Sequence, residues 1–95
     1  MLVVIATLPG RPEKRDEIAA ALTTAAAASR GEEGCLSYAF TRDLEDEDRY
    51  VSVETWRDQA ALDAHFGTPH LVELLGKAEE LLAGPPVIET YVVTT

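Results

Sequence analysis

The chain has 95 residues, 46% of them hydrophobic and 26% charged, which is the make-up of one folded domain and not of a disordered segment. Acidic side chains outnumber basic ones 17 to 8, and the net charge of -9 repels phosphate backbones and anionic lipid, so nucleic acid and membrane surfaces are poor partners. A single cysteine, Cys35, rules out an internal disulfide and points to a reducing, cytoplasmic compartment, and no run approaches the roughly 20 apolar residues of a membrane span.

The chain opens on Leu2–Leu8, a nearly continuous apolar run rich in β-branched residues, which predicts a strand buried on both faces. Pro9-Gly10 ends it. Pro12 suits the first position of a helix, with Glu13, Asp16 and Glu17 placed for its dipole and Ile18, Leu22, Ala25 and Ala26 on one face. Gly31 ends that helix. Cys35–Arg42 alternates, with Leu36, Tyr38 and Phe40 on one side and Cys35, Ser37, Ala39 and Thr41 on the other. After the acidic turn Asp43–Asp48, Arg49–Trp56 alternates again, with Tyr50, Ser52, Glu54 and Trp56 opposed to Val51, Val53 and Thr55. Asp58 is a good N-cap for a short helix carrying Leu62, His65 and Phe66. Thr68-Pro69 starts another, with Leu71, Leu75, Ala78 and Leu82 at helical spacing. Gly84-Pro85-Pro86 stops it, and Val87–Val93 is a last strand.

The order β-α-β-β-α-(α)-β is that of an α+β, ferredoxin-like split βαβ domain over residues 1–95. Helices cover one face of such a sheet. Apolar residues on both faces of its strands require a cover on the other, which a second copy supplies, so the expected partner is the chain itself, docked sheet to sheet. There is no Gly-x-Gly-x-x-Gly, no P-loop and no compact metal-ligand cluster along the sequence, so neither a cofactor nor a metal is expected.

Three segments carry a resemblance: Glu32-Glu33-Gly34-Cys35-Leu36-Ser37-Tyr38, Tyr50-Val51-Ser52-Val53-Glu54-Thr55-Trp56, and Ala61-Leu62-Asp63-Ala64-His65-Phe66-Gly67-Thr68-Pro69-His70-Leu71. Together they resemble the antibiotic-biosynthesis-monooxygenase family, most of all its quinol-monooxygenase-like branch, across essentially the whole chain. The resemblance implies a dimeric α+β barrel. It also implies oxidation of a small electron-rich aromatic, a hydroquinone or a polyketide anthrone, by dioxygen without metal, flavin or haem. The Asn and Trp that haem-degrading relatives use are absent: the first strand has no Asn, and the helix position holds His65. The Asn that some polyketide-tailoring members carry four residues before the strand Trp is Ser52 here. Isomerase relatives share the Thr-Pro-His stretch. An isomerase of a small oxygenated metabolite and a non-catalytic dimeric ligand-binding domain therefore stand as alternatives.

His65 is the first candidate for acid–base work, because it leans toward the core-facing stripe and its ordinary pKa suits proton transfer. Its bland alternative is a core-edge histidine bonded to a backbone carbonyl. His70 reads as a helix-start residue facing solvent. Glu54 shares a face with Tyr50 and Trp56; it is either a base among aromatics or, more simply, an Arg partner or a helix cap. Tyr38, Tyr50 and Trp56 are expected to line a pocket, Ser52, Glu54 and Phe66 to contact substrate, and each aromatic has core packing as its alternative. Cys35 has no adjacent basic residue and reads as a small buried side chain.

Overall fold

A computed structural model describes residues 1–94. It arranges four strands in the order β2-β3-β1-β4, every neighbouring pair antiparallel. The strands are β1 (Leu2–Pro9), β2 (Cys35–Arg42), β3 (Arg49–Trp56) and β4 (Val87–Val92). The helices are α1 (Arg15–Arg30), α2 (Gln59–Phe66), α3 (Pro69–Gly76) and the short α4 (Ala78–Leu81). Because β3 inserts between β1 and β2, the sheet is the split βαβ arrangement of the α+β ferredoxin-like class. Among the described residues no helix is long and apolar enough to cross a membrane.

Local chemistry explains most boundaries. Pro12 opens a 3₁₀ turn, Pro12–Lys14, and the α-helix itself begins at Arg15. α1 buries Ile18, Leu22, Ala25 and Ala26, the face its spacing predicts. β3 buries Tyr50, Ser52, Glu54 and Trp56 and turns Val51, Val53 and Thr55 to the other side, as alternation requires. The Asp58 carboxylate caps α2 by accepting from Ala61 N at 2.9 Å.

Three features depart from the sequence reading. A bulge between Cys35 and Ser37 takes Leu36 out of register. Leu36 is therefore 57% exposed, and Cys35 packs against the core cluster that holds Tyr38, so the two have exchanged their expected faces. The single helix expected to reach Leu82 breaks after Gly76, whose helix propensity is poor, and Leu82 leaves α4 in an extended conformation to bridge Gly10. The acidic turn before β3 is not merely solvated. Arg15 grips Asp48 with a two-pronged contact, Nε to Oδ1 at 2.7 Å and Nη2 to Oδ2 at 2.9 Å, and this holds the Asp48 carboxyl below the ordinary carboxylate range.

The core lies between the sheet and the helices in two groups. One contains Leu2, Val4, Ala26, Tyr38, Trp56, Ala61 and Leu62, and the other Ile18, Leu22, Tyr50 and Leu81. Among the described residues no helix covers the opposite sheet face. Val3, Ile5 and Val51 are half-buried there, while Val53 is 44%, Val87 56% and Tyr91 48% exposed.

Candidate active site

Three residues far apart in sequence meet at one carboxylate. Glu32 Oε2 lies 2.7 Å from His65 Nδ1 and 2.7 Å from His70 Nε2. The Glu32 backbone is fixed on both sides: its N–H donates to Ser29 O at 3.1 Å, and its carbonyl accepts from Cys35 N at 3.2 Å. His65 comes from the last turn of α2 and is 2% exposed. His70 follows Pro69 in the first turn of α3. Thr68 between them donates from Oγ1 to the His65 carbonyl at 2.7 Å, so the α2–α3 junction is tied down as well.

The charges set the proton positions. A carboxylate only accepts, so the imidazole nitrogens that face it donate, and a neutral His65 that donates from Nδ1 keeps a lone pair on Nε2. That is the orientation a general base needs, with the carboxylate holding the ring and its tautomer. Aromatic rings complete the setting. The His65 ring centroid is 4.6 Å from that of Trp56, 5.5 Å from Tyr38 and 5.6 Å from Phe66.

A second carboxylate lies nearby. Glu54 is 4% exposed and accepts from Ser52 Oγ at 2.7 Å and from Trp56 Nε1 at 3.0 Å. All three belong to the buried face of β3. Among the described residues Glu54 has neither the arginine partner nor the helix cap expected for it; its own strand satisfies it instead. Tyr38 is buried, and that burial, followed by the Glu54 charge, raises its hydroxyl far above the ordinary tyrosine value, so it stays a protonated donor at neutral pH. Burial, then the Glu32 and Glu54 charges, also raises the Cys35 thiol, which removes it as a nucleophile.

His65, Tyr38, Ser52, Glu54 and Phe66 line a cavity of about 50 Å³ between the sheet and α2–α3. Its remaining wall is apolar and includes Phe40, Leu71, Leu75 and Ile88. Two expected lining residues lie elsewhere. Tyr50 belongs to the second core group, with Arg42 stacked 5.3 Å from its ring, and Trp56 supports His65 from behind without lining the cavity. His70 does not simply face solvent, since its Nε2 is held by Glu32. Glu32 is the residue that sequence reasoning missed as a site member. Its signal was its place at the head of the Glu32–Tyr38 segment, two residues before Gly34.

Gly34 is the local reason that Glu32 reaches His65. It has a φ of 86°, its carbonyl accepts from Arg57 N at 2.8 Å, and a Cβ at this position would stand 2.5 Å from Ala61 Cβ. The turn therefore lies directly against the first turn of α2. Gly34→Ala is expected to destabilise the fold by about 2–5 kcal/mol, from left-handed strain plus overpacking. The check is a urea midpoint that falls at unchanged m-value.

The sequence matches the family model described as antibiotic biosynthesis monooxygenase over residues 1–75. The chain belongs to this family. It is 34% identical over 85 residues to YcnE of Bacillus subtilis, covering 90% of both proteins. It is 33% identical over 87 residues to Rv0793 of Mycobacterium tuberculosis, covering 92% of the chain and 85% of that protein. Both relatives carry the name of monooxygenase. It is also 39% identical over 90 residues to sll1783 of Synechocystis, although the chain spans 61% of that protein's length. The solved structure of Rv0793 superposes with a TM-score of 0.92 at 30% identity, covering 99% of this chain and 95% of that one. PA3566 of Pseudomonas aeruginosa gives 0.90 at 32% identity, covering 99% and 94%. The chain thus has the α+β fold of the antibiotic biosynthesis monooxygenases, and the family match and these named relatives support a general monooxygenase-type function.

Proposed function

We propose that this family member is a cytoplasmic, cofactor-independent monooxygenase of a small electron-rich aromatic, either a hydroquinone or an anthrone-like polyketide. The observation that carries the reading is the Glu32–His65 pair, with a buried imidazole held by Nδ1 and placed on the wall of an apolar cavity. The substrate supplies the reducing power. His65 Nε2 takes a phenolic or carbon-bound proton, and the resulting anion passes one electron to dioxygen. The radical pair recombines, and loss of water leaves one oxygen atom in the product and the other in that water. Tyr38, as a neutral phenol, can donate to the developing oxyanion, and the apolar wall excludes bulk water.

The cavity is small for this task, since an apolar core cavity that admits benzene measures about 150 Å³. Phe66, Leu75 and Ile88, each between 41% and 46% exposed, form the part of the wall that can swing outward to admit a ring. Mass spectrometry after reaction under labelled dioxygen tests the proposal. One labelled oxygen atom in the product is expected. Product that forms without label sends the same proton-transfer pair to the isomerase reading.

The protein also acts as a homodimer in this proposal, with the uncovered sheet faces packed together. Support comes from Val53, Val87 and Tyr91, which form an exposed apolar surface on a face that no helix protects. Light scattering at micromolar concentration is expected to give twice the 10.3 kDa chain mass, and a monomer mass contradicts the pairing.

A further inference from the structure

We propose that Glu32, His65 and His70 also form a site for one divalent transition-metal ion of the zinc class, and that its occupation switches off the base. The second half rests on the monooxygenase reading above; the first half does not.

The ligand atoms are Glu32 Oε2, His65 Nδ1 and His70 Nε2, and all lie within 4.8 Å of one another. The two contacts to the carboxylate are 2.7 Å each. Bonds of about 2.0–2.2 Å to a tetrahedral zinc place neighbouring ligand atoms roughly 3.3 Å apart, so each contact need open by only about half an ångström. Two imidazoles and one carboxylate suit zinc, cobalt and their neighbours, whereas magnesium and calcium ask for oxygen ligands. The site is also held in advance. Glu32 is fixed through its backbone on both sides and His65 packs against Trp56, while Thr68 ties the α2–α3 junction. Side-chain exposure rises from 2% at His65 and 11% at Glu32 to 22% at His70, so an ion reaches the cluster from the His70 side and keeps a water there as fourth ligand. A net charge of -9 favours the arrival of a dication.

The consequence for the base follows from the proton count. Metal on Nδ1 takes the lone pair of a neutral imidazole, so its one proton must sit on Nε2. The nitrogen that would accept the substrate proton then already carries one. Zinc thus exchanges the reactive tautomer of His65 for an inert one with only small shifts of the three side chains.

Equilibrium dialysis of the metal-stripped full chain is expected to retain one zinc per chain and no magnesium or calcium. His70→Ala is expected to weaken zinc retention by on the order of 100-fold or more, with the folded state checked by circular dichroism. On the wild-type protein, ¹⁵N spectra with zinc should move His65 Nδ1 and His70 Nε2 to metal-bound positions. Equal retention by His70→Ala, absence of retention, or unmoved imidazole signals at saturating zinc overturns the site. Zinc that binds without lowering oxygen uptake overturns the switch. Because dialysis and spectra use no substrate, failure of the site and failure of the monooxygenase reading are separate results.

Discussion

His65→Ala lowers turnover of a responsive hydroquinone or anthrone by about 10²–10⁴-fold, the usual worth of a positioned general base. The loss falls on kcat, because the deleted imidazole acts on the proton in flight and contributes only one part of the cavity wall. Glu32→Gln is the informative companion. It keeps an oxygen that can accept from Nδ1 but removes the charge that supports an imidazolium, and it does not touch the cavity. Its expected cost is about 10–100-fold in kcat with KM nearly constant. Steady-state kinetics on both variants, with circular dichroism to confirm folding, measure this. A Glu32→Gln enzyme with wild-type kcat would reduce Glu32 to a structural residue.

Trp56→Ala removes the most deeply buried large side chain of the protein, at 0% exposure, and is expected to cost about 3–5 kcal/mol from the cavity alone. A second loss adds to it. Trp56 Nε1 donates to Glu54 Oε1 at 3.0 Å, and the truncated variant leaves that buried oxygen short of a donor. An unsatisfied buried acceptor adds about 1–3 kcal/mol. Together these losses come to about 4–8 kcal/mol, a large share of the 5–15 kcal/mol of an ordinary domain. Trp56→Phe separates the two contributions, since it keeps most of the packing and loses the donor. Denaturant midpoints of both variants, measured at one protein concentration so that self-association stays fixed, check the ordering. Equal losses in the two would show that the hydrogen bond to Glu54 dominates.

The fold was legible because it depends on local pattern. Alternation placed the whole buried face of β3, and Asp58 announced the start of α2. Ile18, Leu22, Ala25 and Ala26 marked the inner face of α1. Where one residue slips, pattern fails: the Leu36 bulge looks in sequence like a continued alternation, and its exposure follows only from pairing with β3. The helix break after Gly76 was hidden by leucines whose spacing runs on through it.

The site was legible in part. His65 stood out by residue type and by its place on α2, but its partner did not. Glu32 is 33 residues from His65 and 38 from His70, so nothing short of the folded sheet brings them together. The same distance hid the three-ligand cluster, since metal motifs readable in sequence keep their ligands a few residues apart. Tyr50 and Trp56 share a strand face with Glu54, which suggested a common pocket. The helices divide that face, with α1 and α4 covering Tyr50 while α2 brings His65 against Trp56.

Oxygen uptake by metal-stripped protein against a panel of hydroquinones and anthrones, run beside His65→Ala, decides whether His65 serves a cofactor-independent monooxygenase. Protein-dependent uptake with at least one compound is expected, with a drop of about 10²-fold or more in the variant. Uptake that the variant matches, or no uptake with any compound, would contradict this role.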